Sequence, residues 1–129
     1  MPAYTPEQVH DLFAEYFSAD DLDKLMTLYE PGATMLPQPG PQVTGEVAIR
    51  EVLSGFLALK GQMILKVART IEGEDIAILF SNWTLNGTDP NGGPVALAGQ
   101  TSDVVRRQAD GSWLFVIDNP FGAAAASRM

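Results

Sequence analysis

The stretch that most constrains the fold runs from Gly99 to Phe121, GQTSDVVRRQADGSWLFVIDNPF. Two β-rich runs flank Ala109–Gly111, and an Asp-Gly pair between such runs is a strong hairpin signal. Each run also carries a carboxylate: Asp103 interrupts the first, and Asp118 directly follows the apolar run WLFVI. Carboxylates are seldom buried without a partner or a function. The directions in which Asp103 and Asp118 point therefore decide the functional interpretation.

Composition limits the classes of protein and of site. With 129 residues, 46% of them hydrophobic, the chain fits one domain over 1–129, with an ordered core at about 5–121 and a frayed tail at 122–129. A net charge of −8 disfavours binding to nucleic acid or to an anionic membrane. No cysteine and a single histidine argue against disulfides and His- or Cys-rich metal sites, so we expect neither metal nor cofactor. The absence of a signal sequence or a long apolar run predicts a cytoplasmic protein.

Hydrophobic periodicity predicts three helices in the first half of the chain and strands in the second. Thr5 and Gln8 begin the first helix as a capping pair, and His10 falls off its apolar stripe, which predicts a solvated side chain. Asp20 or Asp21 caps the second helix and Thr44 caps the third. One short strand is predicted at Ala33–Leu36; the later ones are Met63–Ile71, Ile76–Asn86, Val95–Arg107 and the run from Trp113 to Ile117. This order predicts an α+β domain whose curved antiparallel sheet leaves a cavity at its open end.

Four segments resemble the nuclear transport factor 2-like superfamily, and within it the ketosteroid isomerase-like and SnoaL-like branch. They are LYEPGAT at 28–34, GEVAI at 45–49, DVVR at 103–106 and DGSW at 110–113. The resemblance covers about residues 5–121. It implies a cone-shaped, cystatin-like fold, with the sheet wrapped over three N-terminal helices. It does not fix the activity, because this fold carries isomerases, cyclases, dehydratases, hydrolases and binding modules.

The resemblance also suggests roles for individual residues. Ketosteroid isomerase uses a tyrosine on the first helix and a protonated aspartic acid on a late strand as its oxyanion hole, and an aspartate as its base. Tyr16 and Asp103 match the first two positions, whereas the base position falls on Pro37. Steroid isomerisation itself is therefore not implied. SnoaL-like cyclases are similar in using a late aspartate as acid or base, the position of Asp118.

Alternation along the strands predicts which side chains face the cavity. On this basis Asp103 and Asp118 both point inward, and Trp113 points outward. Leu79, Ser81, Trp83 and Leu85 are predicted to share one face of their strand. The predicted catalytic residues are Asp103, Asp118 and Tyr16. The predicted ligand-binding residues are Trp83, Met35, Gln38, Leu79, Ser81, Val116 and Asn119.

Two carboxyl groups in an apolar cavity would divide into an acid and a base, because burial and mutual repulsion raise the pKa of one of them. Alternative explanations exist for each residue. Asp103 pairs equally well with Arg106, Arg107 or a backbone amide, and Asp118 with backbone N–H groups of an Asx turn. Tyr16 fits equally well as a core tyrosine whose hydroxyl bonds a carbonyl.

Two functions of different class follow. The first is cofactor-free acid/base catalysis on an apolar carbonyl compound: isomerisation, cyclisation or dehydration. The second is a small-molecule binding or assembly domain without turnover. In both, the expected partners are a hydrophobic small molecule and a second copy of the chain. The homodimer would form through the outer sheet face, predicted to carry Ile76, Ile78, Phe80, Trp113, Phe115 and Ile117.

Overall fold

A computed structural model describes residues 2–37 and 41–124. It confirms the α+β architecture, but it adds a two-residue strand before the third helix and divides one predicted strand in two. The predicted tail, 122–129, lies outside the described residues from 125 onward; residues 122–124 form a short helical turn. The elements are α1 (Pro6–Ser18), α2 (Leu22–Met26), β1 (Tyr29–Met35), β2 (Val43–Thr44), α3 (Glu46–Leu57), β3 (Gln62–Glu72), β4 (Ile76–Thr88), β5 (Pro94–Gln100), β6 (Asp103–Arg107) and β7 (Trp113–Asp118).

The N-terminus of α1 follows the predicted capping pattern. Thr5 Oγ1 accepts a hydrogen bond from the Gln8 N–H at 3.2 Å, and Gln8 Oε1 accepts one from the Tyr4 N–H at 2.7 Å. Asp21 caps α2. The predicted cap of α3 is wrong: Thr44 ends β2, and α3 follows Gly45, whose φ of 96° favours glycine. Within the described residues, no helix has the length and apolar character needed to cross a bilayer.

His10 is buried, so the prediction that it is solvated was wrong. Its side chain is only 1% exposed, next to the fully buried Val9. The helix lies in the concave face of the curved sheet, where it contacts β3, β4, β6 and β7. A helix enclosed in this way buries more than its apolar stripe, and polar groups beside the stripe become internal.

The seven strands form one sheet in the order β2-β1-β7-β6-β4-β3, with β5 also paired to β4. The paired strands are antiparallel except β1 and β7, which run parallel. Sheet and helices enclose one core, to which Leu25, Ile49 and Phe115 contribute fully buried side chains. The alternation predicted for β4 is confirmed, since Leu79, Ser81, Trp83 and Leu85 are all buried.

The predicted strand Val95–Arg107 is in fact two strands that pair with successive parts of β4. Asp103 pairs with Leu79, and β5 pairs further along β4. Thr101 bridges the interruption through its side chain: Oγ1 donates to the Leu79 carbonyl at 2.9 Å and accepts from the Ser81 N–H at 3.0 Å. These bonds satisfy buried backbone groups that a continuous ladder would have paired, and they fix the position at which Asp103 begins β6.

A β-bulge in β7 changes which side chains face inward. Val105 pairs with Phe115 and Val104 with Ile117, so Val116 is an extra residue without an opposite partner. Phe115 and Trp113 are therefore buried, and their predicted place on the outer face was wrong. Ile117 does lie on the exposed side. Asp118, beyond the bulge, is again buried.

The bridge made by Thr101 gives a test of how Asp103 is positioned. We expect Thr101→Val to destabilise the fold by about 1–3 kcal/mol, because the Ser81 N–H and the Leu79 carbonyl would be left buried without partners. Thr84→Val, on the exposed face of β4, is the matched control and should change stability by less than about 0.5 kcal/mol. Urea denaturation of both variants measures the difference; equal stabilities would contradict the bridging role.

Candidate functional site

An apolar cavity lies between the concave face of the sheet and helices α1 and α3. Its volume is about 60 Å³, measured as the space open to the centres of water-sized molecules. A ligand that fits it without rearrangement is therefore small. The lining residues are His10, Phe13, Phe17, Met35, Leu53, Phe56, Met63, Leu65, Trp83, Leu85, Thr101, Asp103, Phe115, Asp118, Pro120 and Phe121.

Asp103 and Asp118 both line this cavity and are only 2% and 5% exposed. Their proximity follows from the hairpin, because Val104 pairs with Ile117 and the same register places Asp103 opposite Asp118. Side chains directly opposite on antiparallel strands have Cβ atoms about 4.5–5.5 Å apart. The structure therefore brings together the two carboxyl groups that the sequence singled out.

Asp103 receives a hydrogen bond on each of its carboxylate oxygens. His10 Nε2 lies 2.7 Å from Oδ2, and the backbone N–H of Asn119 donates to Oδ1 at 2.6 Å. A backbone amide was one of the partners expected for this residue. Arg106 and Arg107 form ion pairs elsewhere, with Glu30 and Asp75.

His10 connects Asp103 to β4. Its Nδ1 lies 2.7 Å from Ser81 Oγ, and within the described chain this is the one bond of the Ser81 hydroxyl. A neutral ring with its proton on Nε2 satisfies both contacts, since Nε2–H donates to Asp103 and the Ser81 O–H donates to Nδ1. Neither ring nitrogen is then free to act on a ligand. His10 was not predicted here, because the sequence pattern considered only the apolar stripe of α1.

Asp118 has a different environment. Tyr29, at the start of β1, donates its hydroxyl proton to Asp118 Oδ2. Burial raises the pKa of Asp118 well above its ordinary value of 3.8, and the charge of Asp103 raises it further; the bond from Tyr29 opposes this shift. Burial and the charge of Asp103 thus both favour the protonated form of Asp118.

Tyr29 is a site residue that sequence reasoning missed. Burial, followed by the charge of Asp118, raises its pKa well above the ordinary 10.0, so the hydroxyl stays protonated and acts as a donor. Its ring packs against Phe115 with centroids 4.8 Å apart. Only the parallel pairing of β1 with β7 brings Tyr29 near Asp118, and nothing in the sequence spacing indicates that pairing.

The other predicted site residues have varied positions. Tyr16 is buried in α1 with Lys24 5.6 Å from its ring centroid, and it does not line the cavity. Trp83 and Met35 line it. Leu79, Ser81, Asn119 and Val116 do not: Leu79 is buried in the core, Ser81 lies behind His10, Asn119 contributes its backbone N–H to Asp103, and Val116 is the bulge residue. Gln38 lies outside the described residues.

The segment after β7 contributes Pro120 and Phe121 to the cavity wall. Trp83 Nε1 donates to the Pro120 carbonyl at 2.6 Å, and the Trp83 ring meets Phe121 edge-on at 5.4 Å. These contacts hold two aromatic rings against the cavity. Within the described chain, no group of three His, Cys, Asp or Glu side chains is arranged to bind a metal ion.

The raised pKa of Asp118 predicts how stability depends on pH. The native state holds this proton more tightly than the unfolded chain, so the stabilisation is complete below about pH 3.8 and is lost as pH rises through the native pKa. Between pH 3.8 and the native pKa of Asp118, the free energy of unfolding should fall by about 1.4 kcal/mol per pH unit. Asp118→Asn removes this contribution, whereas Asp11→Asn, an exposed control, retains it. Denaturant unfolding across the pH range tests this, and an unchanged slope in Asp118→Asn would contradict it.

Comparison with solved structures identifies proteins of the same fold. A ketosteroid isomerase-like protein from Erwinia carotovora atroseptica superposes with a TM-score of 0.79 and 19% identity, covering 87% of this chain and 88% of that one. A candidate dehydratase of the nuclear transport factor 2-like family from Streptomyces avermitilis gives 0.75 and 16%, covering 87% and 89%. A candidate calcium/calmodulin-dependent protein kinase type II association domain from Thiobacillus denitrificans gives 0.75 and 22%, covering 92% and 96%. At these identities the similarity establishes the fold alone.

Sequence comparison adds the family. No curated protein matches the chain in sequence. A family model, the SnoaL-like domain, matches residues 9–116, which include most of α1, most of the sheet and Asp103. The expected resemblance is confirmed over most of the chain, and the protein belongs to the SnoaL-like family, with the nuclear transport factor 2-like fold.

Proposed function

We propose that the protein catalyses proton transfer on a small, apolar carbonyl compound without a cofactor, with Asp118 as general acid and Asp103 as general base. One observation carries the proposal: two carboxyl groups lie side by side in an apolar cavity, where burial and the neighbouring charge raise the pKa of Asp118. Pairs of titratable groups whose environments separate their pKa values are typical of acid/base sites. A carboxylic acid kept neutral by burial is also a good hydrogen-bond donor to a carbonyl oxygen.

The proton transfers balance within the pair. The Asp103 carboxylate takes a proton from the carbon next to the carbonyl, while Asp118 gives its proton to the carbonyl oxygen, and an enol forms. In isomerisation, the enol returns its O–H proton to Asp118 and Asp103 protonates a different carbon. In dehydration, Asp118 instead protonates a departing β-hydroxyl, and the proton on Asp103 then passes to its neighbour Asp118. Each Asp103 oxygen accepts one N–H bond and retains a lone pair for this role.

The surrounding residues support this assignment. Apolar walls exclude water, which strengthens the influence of the charged carboxylate. Trp83 and Met35 would contact the hydrophobic ligand, and the cavity volume favours a compact one. The proposal gives no step to Tyr16, which lies away from the cavity, and uses Tyr29 to orient Asp118. Dehydratase and ketosteroid isomerase-like descriptions among proteins of the same fold are consistent with proton-transfer chemistry.

The outer sheet face supports the proposed homodimer. Ile71 pairs with Ile78, Ile78 with Val104, and Val104 with Ile117, which makes one apolar row across four strands. Ile71 and Ile117, at the ends of this row, are 50% and 41% exposed in the single chain. A continuous apolar row facing solvent is typical of an interface. We propose that a second copy covers it, leaving both cavities on the opposite, concave faces.

Hydrogen exchange tests the catalytic proposal at the first proton transfer, which any of these reactions would share. The protein is incubated in D₂O with a panel of small cyclic ketones and enones. Proton NMR then follows the loss of signal from the hydrogens on the carbons next to the carbonyl. We expect accelerated exchange for at least one compound. Asp118→Asn should slow it by about 10²–10⁴-fold, the usual contribution of a general acid or base, while binding is retained.

Asp11→Asn, an exposed carboxylate on α1, is the matched control and should exchange like the wild type. Ligand binding is measured on the same samples from chemical-shift changes of the cavity methyl groups. A compound that binds in the cavity without accelerated exchange would favour a binding domain over an enzyme.

Sedimentation velocity tests the proposed interface. Placing a charge in the apolar row by Ile117→Arg should convert the dimer to a monomer, because a buried, unpaired guanidinium costs several kcal/mol. Val47→Arg, at an exposed apolar position on α3, is the control and should remain dimeric. A monomeric wild type at micromolar concentration would contradict the proposal.

A further inference from the structure

Asp103 and Asp118 have different hydrogen-bond partners. One partner of Asp103 is His10, a buried residue to which the catalytic proposal gives no step. His10 is buried and makes two side-chain bonds, to Ser81 and to Asp103. We propose that His10, fixed by Ser81, is a positioning residue that holds the negative charge of the pair on Asp103 and so leaves the shared proton on Asp118. This deepens the proposed function and rests on it for its catalytic meaning, but the position of the proton is testable without turnover.

The donors on each carboxyl group support this inference. Asp103 accepts from two N–H groups, His10 Nε2 and the Asn119 backbone, at 2.7 and 2.6 Å. Asp118 accepts from a single hydroxyl, that of Tyr29. Hydrogen bonds to an ionised acceptor are roughly twice as strong as neutral ones, so two N–H donors favour charge on the group that has them. The Asn119 amide is part of the backbone, so His10 is the donor to Asp103 that a side-chain substitution can remove.

The contact with Ser81 is compatible with a ring that donates to Asp103. The Ser81 hydroxyl can donate to an unprotonated Nδ1, and the ring proton then lies on Nε2 and points at Asp103. In the reverse tautomer Nδ1–H would donate to the serine hydroxyl, and a protonated Asp103 would have to donate to Nε2. Ser81 lies on β4, directly beside β6, so the ring is held between a helix and two strands.

Few other titratable groups face this network. Each of four elements contributes one titratable side chain: α1 contributes His10, β1 Tyr29, β6 Asp103 and β7 Asp118. The remaining residues around the described cavity are apolar or hydroxyl-bearing. The arginines on β6 pair outward with Glu30 and Asp75. Within the described chain, no arginine or lysine pairs with Asp103.

Carbon NMR of the two carboxyl groups tests the inference. In the wild type, over the pH range where the pair holds one proton, the Asp118 carboxyl carbon should show the protonated shift and that of Asp103 the ionised shift. In His10→Leu, which removes the donor, the ratio of Asp118-protonated to Asp103-protonated molecules should fall more than tenfold. His10→Gln retains an N–H donor and should behave like the wild type. An unchanged ratio in His10→Leu would overturn the proposal.

If His10→Leu does not fold, the nitrogen NMR spectrum of the His10 imidazole in the wild-type protein still tests the proposal. A proton on Nε2 with an unprotonated Nδ1, together with an ionised Asp103, supports the proposal. A proton on Nδ1 with a protonated Asp103 overturns it. Neither measurement depends on catalysis. A correct proton position in a protein that shows no exchange of ketone hydrogens would therefore refute the proposed function and leave this inference standing.

Discussion

The site depends on one cross-strand pair, in which two carboxyl groups are placed opposite each other on the buried face of an antiparallel hairpin. Like charges at such a position repel strongly, and burial adds the cost of removing both from water. The structure relieves this by giving the groups different partners. Asp103 has two N–H groups as partners, while Asp118 has the Tyr29 hydroxyl and a pKa that burial raises. Much of the surrounding architecture supports that division.

The partners come from elements far apart in the chain. The imidazole is supplied by the first helix, the tyrosine by the first strand and the backbone amide by the residue after the last strand. An enclosed helix and a parallel strand pair are both needed to deliver them. The polar network is therefore a product of the complete fold, and it forms only when helix and sheet have packed.

Sequence reasoning succeeded where the signal is local. The cap at Thr5, the Asp-Gly hairpin and the alternation in β4 are all short-range patterns, and together with the quoted segments they indicated the fold and brought Asp103 and Asp118 into one cavity. It failed where the answer depends on long-range packing. His10 was placed in solvent because a helical stripe reports apolar residues, whereas the concave sheet also encloses a polar one. Tyr29 and Asp118 are 89 positions apart in the sequence, and no short-range pattern indicates that their side chains form a hydrogen bond.

The outward placement of Trp113 and Phe115 had a different cause. Strict alternation was extended backward from Asp118 through a strand that contains an additional residue. The inward direction was therefore predicted correctly for Asp118, whereas the directions of Trp113 and Phe115, before the bulge, were predicted wrongly.

That additional residue, Val116, has a consequence for reading relatives of this chain. A strand one residue shorter, with perfect alternation, would present the same aromatic side chain and the same acid to the cavity. The distance in sequence between hairpin and acid is therefore free to vary by one without any change in the chemistry. At identities of 16–22%, an alignment that forbids a gap here would set the acid against a neighbour and report a functional difference that does not exist.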